Sequence, residues 1–345
     1  MKKTRVSGSA AVLAFALVSG ALRAADADKF AVTMLPLPGA SPAGISMDYL
    51  GYDPDTNAVW VPAGNTGSVD VIDAATKAVT PLAGFPKGEM GSGNRKRVVG
   101  PSSVTFGKGT AYIGDRFDSS VTAVDTRTHK LGASVKLDSM PDGLAYVGST
   151  NEVWVTTPRD NTIRVLDTST LAQKAKLTFE GNPEGFAVDA TRGRFYTNLE
   201  DKDSTLAIDL KSHKTVATWK PACGEDGPHG LKLDEKNGYL LVACSTKTEV
   251  LDAGHSGAVL SSIETGDGVD DLDFAPLTRV VYVGAAKAGT LTAARLDGAG
   301  KLTLVAKVPT HAGARNGVVA KDGTVFLGHT SLGNLSDLVV VTPAK

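Results

Sequence analysis

Two cysteines, five methionines and three tryptophans in 345 residues leave several classes of protein with nothing to build on. Two thiols cannot make a disulfide-rich scaffold, a four-cysteine zinc site or a Cys-x-x-Cys-His haem attachment. Neither a Gly-x-Ser-x-Gly elbow, a His-Glu-x-x-His helix nor a phosphate loop occurs, and the six histidines form no pair at metal-ligand spacing within one segment. Helix-period stretches are scarce, which excludes helical and leucine-rich solenoids. Long apolar runs are missing too. The one apolar block, "AAVLAFALV" (Ala10 to Val18), is too short to span a bilayer as a mature helix. It follows the basic "MKKTR" and precedes the small-residue stretch "SGALRAADA", the layout of a secretory signal. Residues 1–24 are therefore expected to be a signal peptide, cleaved somewhere between 21 and 27, and no lipobox cysteine follows it.

Charge of one sign is also in short supply. The net is −1 over the whole chain, and losing Lys2, Lys3, Arg5 and Arg23 with the leader takes the positive side chains from 36 to 32 against 37 negative, a net of about −5. A mildly acidic exported chain is a poor general polyanion binder. The basic tetrapeptide "NRKR" (94–97) lacks the aromatic platforms of single-strand binders, so nucleic acid is not expected as a partner. A soluble periplasmic or secreted monomer without a membrane span is the expectation.

What the chain has in quantity is glycine, 38 residues of it, and repetition. "VIDAAT" (71–76), "AVDTRT" (123–128), "VLDTST" (165–170), "AIDLKS" (207–212), "VLDAGH" (250–255) and "ARLDGA" (294–299) each place an aspartate after a strand-like run. Asp73, Asp125, Asp167, Asp209, Asp252 and Asp297 are spaced 52, 42, 42, 43 and 45 residues apart. An aspartate there can accept backbone N–H groups just downstream and start a turn, so six in register form a turn device and not six catalytic sites. A second phrase recurs between them: "PEGFAVDATRGRFYTN" (183–198), "PHGLKLDEKNGYLLVA" (228–243) and "VDDLDFAPLTRVVYVG" (269–284). Each unit then contains four short strands rich in β-branched and aromatic residues, bounded by Gly, Asn and Asp. Four strands in a period of 40–50 residues is the signature of a β-propeller blade.

The second-strand positions Trp60, Tyr112, Trp154, Tyr196, Leu241, Tyr282 and Phe326 count seven blades. The seventh unit ends after its third strand. "FAVTMLPLPG" (30–39) resembles the fourth strand of blade one, "KAVTPLAGFP" (77–86), and is expected to complete the last blade and remove an open edge. The expected fold is all-β: a seven-bladed β-propeller of four-stranded blades over residues 25–345, its last blade closed by the N-terminal strand. The glycine-rich "GPSSVTFGKG" (100–109) falls in a blade strand, which makes a phosphate cradle improbable.

These units resemble the YVTN repeat of bacterial periplasmic seven-bladed propellers, the YncE-like family. "PEGFAVDATRGRFYTN", "VWVTTPRDNTIRVLDTSTL" and "VDDLDFAPLTRVVYVG" are similar to its Pro-x-Gly, Tyr-Val-x-Asn and Ile-Asp-x-x-Thr consensus. The resemblance covers essentially the whole mature chain, although blade one carries extra residues and the consensus Asn after the second strand is mostly replaced. It implies a scaffold or binding role and passes on no catalytic residue.

The innermost strand of each blade lines the central channel, and its first residues sit at one mouth. Counting back twelve residues from the second-strand marker, or ten where the turn is shorter, reaches Asp48, Ser102, Asp142, Glu184, His229, Asp270 and Asn316, with Asp271 alongside. The frame is constant because the blade requires it; the residue facing the shared mouth is free to vary. Oxygen-rich rings with one imidazole suit Ca²⁺, Mg²⁺ or Zn²⁺, and a watery mouth also tolerates polar residues of either sign. Loops after the second strands add Asp115, Arg116, Arg159, Glu200, Cys244 and His329 on the same face; Arg116 and Arg159 could neutralise ring carboxylates or grip an anionic group on a ligand. The insertion "GFPKGEMGSGNRKRVVG" (84–100) is expected to be mobile from its Gly and Ser content. Cys223 and Cys244, in one blade of an exported chain, are expected to form a disulfide, with two free thiols or a soft-metal site alongside His229 as the alternatives. The first reading is a binding or scaffold propeller acting on a small molecule or protein at the channel mouth, without catalysis of its own. The second is a metal-dependent, lactonase-like hydrolase with a divalent ion at that mouth and His229 or an adjacent carboxylate as base.

Overall fold

Twenty-eight strands are arranged as seven four-stranded antiparallel sheets around a central axis, a β-propeller, in the computed structural model, which describes residues 29–39, 44–329 and 337–344. The proposed signal segment and its cleavage site lie outside the described residues. Blade four shows how one unit is built. Its strands run Pro183–Asp189, Arg194–Leu199, Ser204–Asp209 and Thr215–Trp219, from the axis outwards. The two middle strands are covered on both faces by neighbouring blades, so they are buried along nearly their whole length. The outermost strand is largely exposed.

The core is divided among the blade interfaces. Seven hydrophobic clusters are present, and each joins residues of two consecutive blades. The second-strand markers Trp60, Tyr112, Trp154, Tyr196, Leu241, Tyr282 and Phe326 all lie inside these clusters and are at most 6% exposed. Strand Phe30–Pro36 pairs antiparallel with Asp337–Pro343 through seven registered residues, from Phe30 opposite Pro343 to Pro36 opposite Asp337. It supplies the fourth strand of the seventh blade. The cluster joining blades seven and one includes Leu37, with Leu35 packed against it. One terminal segment therefore completes a sheet and seals the last interface.

The turn aspartates do what their register implies. Asp73 Oδ1 accepts the amides of Ala75 (2.9 Å) and Thr76 (2.7 Å), and Asp125 Oδ1 those of Arg127 (3.0 Å) and Thr128 (2.7 Å). Asp167, Asp209, Asp252 and Asp297 each hold two downstream amides in the same way. The insertion at 84–100 has more order than its composition suggests. Gly88–Met90 and Arg97–Val99 form a small hairpin, anchored by the buried side chains of Phe85 and Val99. The ring of Phe117 lies so close over Gly88 that an added Cβ would meet it at 2.2 Å. A glycine that reads as flexibility in sequence here permits contact.

Candidate functional site

The ring residues project inwards because the innermost strands break register where they begin. Pairing with the second strand shifts between Pro101 and Ser103, Pro183 and Phe186, Pro228 and Leu231, Val269 and Leu272, and Ala314 and Gly317. Such bulges re-aim a side chain out of the regular alternation. Ser102, Glu184, His229, Asp270 and Asn316 occupy them, while Asp48 and Asp142 immediately precede the paired segments of their blades. The glycine after the ring residue follows from crowding at the axis. A Cβ on Gly185 would meet the His229 carbonyl at 2.2 Å, and one on Gly230 the Asp271 carboxylate at 2.3 Å. Consecutive blades approach here more closely than any side chain allows.

Two guanidiniums knit this mouth together. Arg116 reaches from the loop after the second strand of blade two and ion-pairs with both Asp48 and Asp142. Asn316 Nδ2 donates to the other oxygen of Asp48 at 2.8 Å, and Arg315 pairs with Asp270 at 3.1 Å. Glu184 has no such cation; its Oε1 accepts the Tyr49 hydroxyl at 3.2 Å. His229 Nε2 lies 3.2 Å from Ser245 Oγ, and its Nδ1 stands 3.6 Å from Glu200, beyond hydrogen-bonding distance. Burial pushes the Asp142 carboxyl up to about 6 despite Arg116, with Asp48 adding to the rise. Glu184 is raised well above the usual range by burial and then by Asp142, Glu200, Asp48 and Asp270. Burial raises Asp270 too, against the pull of Arg315.

The mouth also gathers polar atoms that have no hydrogen-bond partner among the described residues. Ser102 Oγ, Arg116 Nε, Asp142 Oδ2, His229 Nδ1, Arg315 Nε and Asn316 Oδ1 are all buried and unmatched. Buried polar atoms are normally satisfied, so a concentration of them at one mouth calls for an explanation.

Asp48, Asp142, Glu184, His229, Asp270, Asn316 and Arg116 thus come together. Arg159 stays apart, exposed on the turn Pro158–Asp160 with no ion pair among the described residues. The nearby Arg164 is fully buried and tied to Asp138 and Asp160, which makes it a structural residue. Asp115 is buried and holds the loop through the Phe117 amide at 2.9 Å. The His329 side chain lies outside the described residues. Asn198, the one match to the consensus Asn quoted above, spans to blade five by donating to the His229 carbonyl at 2.7 Å. Sequence counting missed Arg315 and Tyr49. Each is the immediate neighbour of a counted residue: Arg315 stands in a bulge, which presents two consecutive side chains where a regular strand presents one, and Tyr49 lies ahead of the paired segment of blade one, bridged to Ser103. The sulfurs of Cys223 and Cys244 are bonded, with Cα atoms 5.2 Å apart, tying the crossing loop to the end of strand Tyr239–Cys244. Among the described residues no group of three or more His, Cys, Asp or Glu is placed to hold a metal ion.

No protein-family model matches the sequence, and no curated protein matches it either. Solved structures do match. A chain of a mitotic checkpoint complex superposes with a TM-score of 0.72 at 14% identity, over 99% of both chains. A chain of hydrazine synthase from Kuenenia stuttgartiensis gives 0.71 at 16%, over 88% of this chain and 96% of that one. Virginiamycin B lyase from Staphylococcus aureus gives 0.69 at 12%, over 91% and 99%. At these identities the likeness is one of fold alone, and the fold shared is the propeller.

Proposed function

We propose that this chain is an exported propeller of the YVTN-repeat, YncE-like kind that acts as a binding or scaffold protein through its channel mouth. The observation that carries this reading is the set of buried, unmatched polar atoms on side chains from four of the seven blades, all at one end of the axis. A partner able to reach them brings hydrogen-bond donors or positive charge to Glu184 and acceptors to Arg116 and Arg315. A small polar molecule or a protruding protein loop meets that description. The hydrolase alternative needs several carboxylates free to hold an ion. Arg116 already engages Asp48 and Asp142, and Arg315 engages Asp270, which favours binding without catalysis.

The test is a set of thermal melts on chelator-treated wild type and Glu184→Gln, with Ca²⁺, Mg²⁺, Zn²⁺, arginine amide or spermidine added in turn. A saturable rise with an organic cation, lost in Glu184→Gln, is the expected result, because a ligand of the folded state stabilises it by mass action. A rise with a divalent ion alone would move the reading to the metal-dependent hydrolase. No response to any of them would leave the ring as ordinary channel lining.

A further inference from the structure

Below Tyr49 the axis widens into a second compartment of about 660 Å³, and all seven innermost strands contribute to its wall. That is the size of a pocket for a small organic molecule. The Tyr49 ring separates it from the charged mouth, held from above by Glu184, with its centroid 5.9 Å from that of Phe186 and the two rings tilted by 30°. Its wall is apolar and aromatic, with Tyr52, Phe106, Phe186 and Phe274 facing in. It meets solvent at the turns that follow the innermost strands, where Pro54, Pro276 and Lys321 are exposed. Leu277 stands on that rim 83% exposed, far more than any other large apolar side chain among the described residues.

Two charged groups interrupt the apolar wall. Lys232 is surrounded by protein on every side, yet about a third of its side chain, 32%, remains accessible from the channel. Its ammonium lies 3.6 Å from Asp271, and the Asp273 carboxylate also acts on it. Asp273 is anchored by the Val319 amide at 2.8 Å. Two carboxylates face one ammonium. Above Tyr49, Asp48, Asp142, Glu184 and Asp270 face two guanidiniums, Arg116 and Arg315, and the His229 imidazole. Negative charge is therefore in excess along the axis, and Lys321, which lines the open end, sits in solvent where it is screened. Burial pushes Asp271 up to about 6 and raises Asp273 as well, and Lys232 offsets only part of the rise.

We infer that this compartment binds a small organic cation with an apolar body, such as an arylalkyl amine, entering past Leu277 with its ammonium directed at Asp273. Aromatic walls favour the charge by cation–π attraction and take up the apolar body by burial. The site is independent of the one proposed at the mouth, from which Tyr49 divides it.

Fluorescence titration of the full mature chain with 2-(1-naphthyl)ethylamine, its N-acetyl amide and 1-naphthylpropionic acid tests the assignment. The amine is expected to bind saturably and about tenfold more tightly than the amide, with the acid weaker still. Asp273→Asn keeps an acceptor for the Val319 amide and is expected to bring the amine down to the amide's affinity, leaving the amide unchanged. Asp167→Asn, at the turn after a third strand, is expected to alter none of the three. Ranking the probes on the wild type needs no variant to fold. Equal affinity for amine and amide would overturn the inference, as would no saturable binding, or loss of the amine site in Glu184→Gln with retention in Asp273→Asn.

Discussion

An aspartate that receives two backbone amides is a better acceptor charged than neutral, and this chain uses the device at the end of six third strands. Asp73, Asp125, Asp167, Asp209 and Asp297 are all held below the usual carboxylate range, chiefly by hydrogen bonds from residues just downstream. Asp167 is lowered to about 2, first by the Ser169 hydroxyl and then by the Ser169 and Thr170 amides. A depressed carboxyl stabilises the fold fully above its unfolded value near 4, and the contribution disappears as pH falls through the folded value. The window for Asp167 therefore runs from about pH 4 down to about pH 2. Because the group is open to solvent, its share is small. Asp167→Ala is expected to lower the melting temperature by a few degrees at pH 6, and by less at pH 2.5, with Asp167→Asn in between because it retains an acceptor. Melts of the three proteins across that range check this; a deficit in Asp167→Ala that is constant with pH would show that the carboxylate charge is not what the turn uses.

At the scale of strands, two ties lie outside the repeating unit, and both can be cut. Deleting residues 30–36 removes the seven-residue pairing with Asp337–Pro343 and uncovers the cluster that joins blades seven and one. The truncated chain is expected to lose cooperative unfolding, whereas a chain starting at Lys29 should melt with the wild type. Equal melts for the two would mean the closing strand is dispensable. The other tie is Cys223–Cys244, 21 residues apart in sequence. A loop of that length is worth about 3 kcal/mol by chain entropy, so Cys223→Ser with Cys244→Ser is expected to lose roughly that in denaturant melts. Thiol titration of denatured, unreduced wild type should find none free. Blade count, strand order and the closing strand were legible because a repeat fixes the frame seven times over, and one ambiguous strand is corrected by six others. Register within a strand was less so. Arg315 escaped because a bulge adds a residue that fixed-offset counting passes over, and Tyr49 because it lies ahead of the paired segment of its blade, outside the alternation that counting assumes. The hairpin at 84–100 escaped because glycine marks close approach as readily as it marks freedom, and only the position of Phe117 distinguishes the two. Arg159 and Arg164 could not be sorted from sequence, since burial of an arginine depends on acceptors brought from elsewhere in the fold.

Across the whole molecule the fold imposes a cost at its centre that no single blade contains. Four blades contribute Asp48, Asp142, Glu184 and Asp270 to one mouth, and a closed ring cannot move them apart without opening an interface. Two guanidiniums offset part of the repulsion. Burial, and after it the repulsion that remains, raise these carboxyls: Asp142 is pushed up to about 6 and Glu184 well above the usual range. The sign is opposite to that of the turn aspartates. A carboxyl whose folded value exceeds its unfolded one near 4 favours the fold when protonated, and that advantage is lost as pH rises from about 4 through about 6 and beyond. Stability should therefore decline from pH 4.5 to pH 8 in the wild type. The Glu184→Gln, Asp270→Asn double variant removes two of the coupled charges while leaving Asp142 with Arg116. Its decline should be shallower, and at pH 8 it should melt higher than the wild type by a few degrees, while at pH 4.5 the two should nearly coincide. A cation or cationic ligand bound at the mouth reverses the comparison, because the wild type then gains by binding what the variant cannot hold. Melts of both proteins over this pH range, after chelation and dialysis, separate the two cases. A wild type more stable than the double variant at pH 8 under those conditions would mean that the mouth carboxylates are compensated from within the protein, and that repulsion is not what makes the site receptive to a ligand.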